Sequence, residues 1–169
     1  MKRRQFAARA ALVSVAALAL SACGFAMKGP TRLPFASVYL DEQAQGPVAN
    51  MLRRYLQATP LLQVVGTAAQ RAEAQIGIDI SQDAQDRRAV GANAYGLVRE
   101  LQLYTRFTFS VTAANGDVLI EPTELQQRRD IAFTEAVVLS KEAEEQMLYE
   151  SMREDIAAQV MRRLTAIKL

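Results

Sequence analysis

An alternating run of apolar and polar residues, LQLYTRFTFSV at positions 101–111, constrains the fold of this chain more than any other feature. Successive side chains of a β-strand point to opposite faces, so this alternation predicts one long half-buried strand that begins near Leu97. Its apolar face needs a second layer to cover it. The predicted buried face holds Leu101, Leu103, Thr105, Phe107, Phe109 and Val111, and the open face holds Gln102, Tyr104, Arg106, Thr108 and Ser110.

Three other segments predict further strands. ASVYLDE at 36–42 is a short strand, and AEAQIGIDI at 72–80 alternates with three isoleucines on one side. The pair Asn115-Gly116 is a strong hairpin signal, and the segment after it returns as a strand. Pro122 interrupts that strand and predicts a bulge or an edge position. The polar stretch SQDAQDRRAVGANAYG at 81–96 is predicted to be a loop.

Two segments have the spacing of amphipathic helices. Pro47 opens the first helix and Pro60 ends it, and Ser140 is the predicted N-cap of the second. The second helix has acidic residues in its first turns and basic residues at its end, as the helix dipole favours. The predicted buried positions are Val48, Met51, Leu52, Tyr55 and Leu56 in the first helix, and Leu148, Met152, Ile156, Val160, Leu164 and Ile167 in the second.

The order of these elements is strand, helix, strand, strand, strand, helix. It predicts an α+β fold in which two helices pack on one face of a four-stranded mixed sheet, order βαβββα. The other face of the sheet would be polar and open to a partner. We expect one domain over residues 35–169, preceded by a tether at 23–34 and a signal peptide at 1–22.

The N-terminus has the three parts of a secretory signal: a basic start, an apolar run from Ala10 to Leu20, and small residues before a cut. The run is shorter than the roughly 20 residues that a membrane-spanning helix needs. The sequence LSAC at 20–23 resembles the bacterial lipobox, in which the cysteine thiol is lipidated and becomes the first mature residue. The alternative is a small buried cysteine in an ordinary helix or at the start of a transmembrane segment. Gly24 in place of aspartate favours release to the outer membrane.

The residue types present exclude several classes of function. Histidine is absent and Cys23 is the only cysteine, so the usual ligands of zinc, iron and copper are missing. Ser-His-Asp and Cys-His nucleophile systems are excluded for the same reason, as is a disulfide within the chain. Carboxylate or lysine chemistry would remain for an enzyme. We predict a non-enzyme without cofactor or metal.

The charge of the chain depends on its first residues. The whole sequence has 20 basic and 18 acidic residues, but four of the basic residues precede the predicted cut. The mature chain therefore has 16 basic and 18 acidic residues, a net charge of −2. Nucleic-acid binding usually needs a basic surplus to displace counterions from phosphates. Nucleic acid is therefore not predicted as a partner.

Several stretches, in this order, resemble the LptE family of lipopolysaccharide-assembly lipoproteins. They are LSACGFAMKG at 20–29, RELQLYTRFTFSV at 99–111 followed by a hairpin, RRDIAF at 128–133, and VLSKEAEEQMLYESMREDIAAQVMRRL at 138–164. The resemblance covers essentially the whole mature chain, and the order of the stretches carries it more than any single motif.

The resemblance implies a function without bond chemistry. Members of the family plug the lumen of the LptD outer-membrane β-barrel, help it to assemble, and take part in lipopolysaccharide transport to the outer leaflet. The domain would then lie on the periplasmic side or within the barrel lumen, anchored through the lipid on Cys23. Lys141 matches a family lysine implicated in contact with lipopolysaccharide, and Arg87 and Arg88 offer a second basic position in the loop before the long strand.

Each candidate residue also has a structural interpretation. Lys141 would be a solvated residue in the first turn of a helix, and Arg87 and Arg88 would lie in a polar loop balanced by Asp83 and Asp86. Neighbouring residues on a strand point to opposite faces, so at most one of Arg128 and Arg129 faces any given partner. Both are expected to pair with Asp130, Glu100 or other carboxylates across the sheet. The helix dipole explains Glu142, Glu144 and Glu145 without catalysis. The alternative function is a periplasm-facing lipoprotein that scaffolds or activates an envelope enzyme.

Overall fold

A five-stranded mixed sheet with two α-helices on one face organises the described part of the chain. The structure is a computed structural model, and it describes residues 33–92, 94–96, 98–132 and 138–169, without the side chains of 138–140. The elements are β1 (Ser37–Leu40), α1 (Pro47–Gln57), β2 (Gln63–Val65), a 3₁₀ helix (Ala68–Glu73), β3 (Ile76–Ala92), β4 (Val98–Ala113), β5 (Val118–Ala132) and α2 (Val138–Thr165).

The strand order across the sheet is β2-β1-β3-β4-β5. β1 is parallel to both β2 and β3, whereas β3, β4 and β5 form an antiparallel meander. The α+β class is confirmed, but the prediction of four strands and two helices is wrong because β2 and the 3₁₀ helix were missed. β2 has only three residues, too few for an alternation to be visible in the sequence.

The polar stretch 81–96 is mostly strand, which corrects its prediction as a loop. β3 continues through it to Ala92 and pairs with β4 along its length. The alternation is hidden because positions of this strand that face the helices are polar and have polar partners. Asp83 contacts the start of α1, Gln85 donates a hydrogen bond to the Thr105 hydroxyl at 3.3 Å, and Arg87 pairs with Glu145 of α2.

The core lies between the helices and β4, as the alternation predicts. Phe107 and Phe109 are fully buried, and their ring centroids lie 5.7 Å apart. The main cluster extends from Phe35 and the start of β3 to the second half of α2, and a smaller cluster lies under the first half of α2. The smaller cluster comprises Leu103, Ile131, Tyr149 and Met152.

The turn predicted at Asn115-Gly116 and the bulge or edge position predicted at Pro122 are confirmed. Gly116 has a φ of +91°, and the Ala113 N–H donates to the Asp117 carbonyl across the turn at 2.8 Å. β5 is the edge strand, and Glu121 and Pro122 together lie opposite Ser110, which is a β-bulge. The proline therefore removes no hydrogen bond from the centre of the sheet.

α1 begins at Pro47 as predicted, whereas the start of α2 differs from the prediction. α2 begins at Val138, two residues before the predicted N-cap Ser140, whose side chain lies outside the described part of the structure. α1 begins after Gly46, which has no side chain to cap the helix. The Asp83 carboxylate of β3 accepts hydrogen bonds from the N–H groups of Val48 and Ala49 at 3.0 and 2.8 Å. A residue distant in sequence thus caps α1.

Candidate functional site

The predicted binding residues lie at one end of the domain, which we call the distal end. It is formed by the last residues of β3, the first of β4, the last of β5 and the first turns of α2. The opposite end, where β1 begins and the Asn115-Gly116 turn lies, we call the proximal end. Ile76 at the start of β3 pairs with Val38 of β1 there, and about 12 residues at roughly 3.3 Å each separate Ile76 from Arg88.

Arg87 lies on the helix-facing side of β3 and reaches α2. Its Nη1 is 3.6 Å from Oε2 of Glu145, and the two side chains are 67% and 17% exposed. The Tyr149 hydroxyl, one turn further along α2, donates to the carbonyl oxygen of Asp86 at 2.9 Å. Burial raises the pKa of Tyr149, and the charge of Glu145 adds to that effect. The start of α2 is therefore held on β3 by an ion pair and a hydrogen bond.

Lys141 lies in the first turns of α2, as the sequence predicts. Its Nζ is 2.7 Å from Oε2 of Glu144, three residues further along the helix. The glutamates that pair with Lys141 and Arg87 are consecutive in sequence, so both cations lie around the same turns of α2. Each has an acidic partner in this structure. An anionic ligand would have to compete with that partner.

Arg88 points to the opposite face of the sheet from Arg87, because the two residues are neighbours on a strand. Its guanidinium carbon lies 5.3 Å from the centroid of the Tyr104 ring, a cation–π contact. The adjacent row of this open face holds an ion pair between Arg106 and Asp86. The three candidate cations thus share the distal end but do not converge on a single pocket.

The prediction that Arg87 and Arg88 lie in a loop is wrong, because both lie within β3. The prediction that Asp83 and Asp86 balance the charge of these arginines is also wrong, because both aspartates have other partners. Asp83 caps α1, and Asp86 pairs with Arg106. The arginines on β5 pair with carboxylates as predicted, but neither partner lies across the sheet. Arg128 Nε lies 4.0 Å from Asp130, and Arg129 lies 2.9 Å from Asp155 of α2.

A second charged group, missed in the sequence, lies nearer the proximal end. Arg71 of the 3₁₀ helix donates two hydrogen bonds of 2.7 Å to the Asp79 carboxylate of β3, and its guanidinium lies 5.0 Å from the Tyr39 ring. These bonds hold the pKa of Asp79 below its usual value. The eight-residue separation crosses a turn, so no helical or strand spacing could have indicated the pair. Its contacts fasten the 3₁₀ helix to the sheet.

The described residues contain no cluster of acidic residues or cysteine that could hold a metal ion. No helix within them is long and apolar enough to cross a membrane. Cys23, the predicted lipidation site, lies outside the described residues. Among the described charged side chains of the distal end, Arg87, Arg106 and Lys141 are ion-paired, and Arg88 lies over the Tyr104 ring.

Solved bacterial lipoproteins have a similar fold. Lipoprotein B from Nitrosomonas europaea, a solution NMR structure, matches with a TM-score of 0.69 and 30% identity, over 85% of this chain and 91% of that one. The rare lipoprotein B from Shewanella oneidensis matches with a TM-score of 0.60 at 18% identity, over 77% of this chain and 94% of that one. The fold and its ion-paired surface define a two-layer α+β domain of the kind found in small bacterial lipoproteins.

The sequence comparisons identify the family. The LPS-assembly lipoprotein LptE of Yersinia pestis is 26% identical over 159 residues, which cover 92% of this chain and 74% of the relative. The LPS-assembly lipoprotein LptE of Yersinia pseudotuberculosis matches to the same extent. A sequence model of the LptE family, described as lipopolysaccharide-assembly, matches residues 34–164. The chain belongs to the LptE family.

Proposed function

We propose that this chain is an outer-membrane lipoprotein that plugs and helps to assemble an LptD-type β-barrel and takes part in lipopolysaccharide transport and insertion at the outer leaflet. Cys23 is the proposed lipidation site, and the domain lies on the periplasmic side or within the barrel lumen. The single observation that carries the proposal is the family match over residues 34–164. The proposed role requires binding and positioning rather than catalysis.

The shape and polarity of the sheet support a position inside a barrel. β3, β4 and β5 have 17, 16 and 15 residues, which correspond to roughly 50 Å at about 3.3 Å per residue. Their open face carries charged, amide and hydroxyl side chains, and the interior of an outer-membrane barrel is polar as well. The helices cover the other face. A long sheet with one polar face is therefore suited to contact a polar lumen wall along its length.

The distal end supports contact with the phosphates and sugar acids of lipopolysaccharide. Charge-assisted hydrogen bonds from Lys141, Arg87 and Arg88 would be stronger than neutral ones. In the unliganded chain, Lys141 is ion-paired with Glu144 and Arg87 with Glu145. We propose that glycolipid phosphate displaces these glutamates, so that the ion pairs limit binding when no ligand is present.

We expect a tagged chain, expressed at its natural level, to co-purify with a large outer-membrane β-barrel of the LptD type. Depletion of the chain is expected to reduce lipopolysaccharide at the cell surface, because the barrel would not assemble without it. Co-purification followed by mass spectrometry, and surface labelling of lipopolysaccharide, are the measurements. Recovery of free monomer together with an isolated cell-wall defect would contradict the proposal and favour a scaffold or activator of an envelope enzyme.

We expect Arg87→Gln to weaken binding of purified lipopolysaccharide about tenfold, because a hydrogen bond to a charged group contributes about 1.5 kcal/mol. Glu145→Gln is expected to strengthen binding, since it frees Arg87 from its acidic partner at 3.6 Å. Equilibrium binding to immobilised lipopolysaccharide measures both effects. Arg71→Gln is the matched control, because this arginine is also ion-paired, with Asp79, and lies nearer the proximal end. Equal losses in Arg87→Gln and Arg71→Gln, or weaker binding by Glu145→Gln, would contradict a site at Arg87.

A further inference from the structure

The turn between α1 and β2 exposes a leucine at the proximal end. Leu61 is 99% exposed and has a φ of +65°, a left-handed conformation that residues other than glycine, asparagine and aspartate seldom adopt. Two residues later the Gln63 N–H donates to the Ala36 carbonyl at 2.9 Å, next to the start of β1. Leu61 therefore projects from the end of the domain at which the described chain begins. Its side chain is exposed and does not contribute to the core.

Exposed cations lie near the ends of the two helices at the proximal end. Both helices run toward it: α1 ends just before the turn of Leu61, and the second half of α2 packs in the same cluster as Phe35. Among the described residues, the exposed cations of these helix ends have no acidic partner. They are Arg54, Arg162, Arg163 and Lys168.

Acidic residues are absent from the two stretches that carry these cations. None occurs in residues 47–72 or in 156–169, although acidic residues outnumber basic ones in the mature chain. The acids near the proximal end lie on the sheet, the 3₁₀ helix and the β4–β5 hairpin. They are Asp79, Glu73, Asp117 and Glu121. The positive charge is thus concentrated on the helix side, together with the exposed leucine. The surface formed by Leu61, Arg54, Arg162, Arg163 and Lys168 is named the proximal basic surface below.

We infer that the proximal basic surface rests on anionic phospholipid headgroups, with Leu61 inserted at their level. Clustered cations beside a protruding apolar side chain are the composition of segments that bind membrane interfaces. The cations bind headgroup phosphates, and the leucine reaches the acyl boundary. Leu61 protrudes on a turn with nearly all of its surface exposed, which suits a deformable lipid surface better than the shaped pocket of an acidic protein.

The lipid on Cys23, which this inference takes from the proposed function, would bring the domain to the membrane without choosing its orientation. A tether of about 12 residues spans at most roughly 40 Å, which is similar to the distance along β3 between the two ends. Either end could therefore reach the headgroups. The proximal basic surface would select the orientation in which the distal cations face away from the anchoring leaflet.

The test uses the lipidated full chain in vesicles that contain neither barrel nor lipopolysaccharide, so its result is independent of those partners. Because the thiol of Cys23 would be acylated, a cysteine introduced as Gln57→Cys provides a single labelling site at the proximal end. Met147→Cys, 71% exposed on the first half of α2, provides the distal reporter. Vesicles of phosphatidylethanolamine with phosphatidylglycerol are compared with phosphatidylcholine vesicles, each carrying a quencher in the bilayer.

We expect the Gln57→Cys label to be quenched at least about threefold more in anionic than in neutral vesicles, and high salt to remove the difference. The Met147→Cys label should be quenched to the same extent in both kinds of vesicle. Combining Arg54→Gln, Arg162→Gln and Arg163→Gln should abolish the effect. Combining Arg99→Gln, Arg128→Gln and Arg129→Gln removes as much charge from the distal parts of β4 and β5 and should retain it. Equal quenching in both lipids, or equal loss in the two triple variants, would overturn the inference.

Leu61→Asn tests the apolar contact without a folding defect. Asparagine tolerates the left-handed backbone better than leucine does, so the variant should be at least as stable to thermal unfolding. We expect its quenching in anionic vesicles to fall by half or more. Undiminished quenching would overturn the role of Leu61, and a lowered melting temperature would show that the leucine serves the fold instead.

Discussion

Replacing Phe107 with alanine is expected to lower the free energy of unfolding by about 3–5 kcal/mol, the usual cost of removing a buried phenylalanine. Phe107 has no exposed surface, and its ring stacks on Phe109 at an interplanar angle of 28°. It lies on β4, which pairs on both sides, so the cavity cannot close without moving the helices or the sheet. Urea unfolding followed by circular dichroism measures the change.

Tyr104→Ala is the matched control for Phe107→Ala, because it removes an aromatic ring from the open face of the same strand. Its ring contacts Arg88, and its hydroxyl donates to Gln102 at 2.6 Å. We expect a cost of about 1 kcal/mol or less, as for exposed cation–π pairs. A cost equal to that of Phe107→Ala would contradict the assignment of one buried and one open face.

Replacing Asp83 with alanine is expected to cost about 1–2 kcal/mol, the effect of removing a helix N-cap. The N–H groups of the buried residues Val48 and Ala49 would lose their acceptor, and Gly46 has no side chain to replace it. A β-carbon added to Gly46 would lie 2.5 Å from the β-carbon of residue 83, which alanine retains, so a larger residue at position 46 could not take over the cap without a shift. The same unfolding experiment applies.

The effect of Asp83 is expected to depend on pH. Burial raises the pKa of Asp83 above its usual 3.8, and the hydrogen bonds from Ala49 and Val48 only partly oppose this. The folded chain then binds the proton more tightly, so the contribution of Asp83 to stability is greatest below pH 3.8 and declines as pH rises through the raised pKa. Relative to Asp83→Asn, the wild-type chain should lose stability over that range. A difference that grows in the opposite direction would mean that the hydrogen bonds outweigh burial.

These predictions separate the residues that hold the domain together from those proposed to bind. Phe107 and Asp83 act on the helix-facing side of the sheet, where truncation lowers stability. Arg87 and Leu61 lie at opposite ends of the domain, and changes there should alter contact with different lipids while the fold persists. Unfolding and binding measurements on the same variants can therefore be compared directly.

Local periodicity was enough to predict several elements from the sequence. The alternation in β4, the apolar stripes of both helices, the Asn115-Gly116 turn and the edge position at Pro122 could all be predicted, because each depends on neighbours a few residues apart. The absence of histidine and the order of motifs that resembles the LptE family could also be read directly from the sequence.

The partners of the polar residues, in contrast, depend on tertiary packing. The segment that holds Asp83, Gln85 and Arg87 was predicted to be a loop because residues on both faces of the strand are polar there, so no apolar alternation is visible. Their partners lie on α1, β4 and α2, which only the folded structure brings next to β3. β2 exists because β1 offers it a parallel edge, not because three residues favour a strand. Contacts between residues far apart in the chain leave no local period, which is why they are visible only in the folded structure.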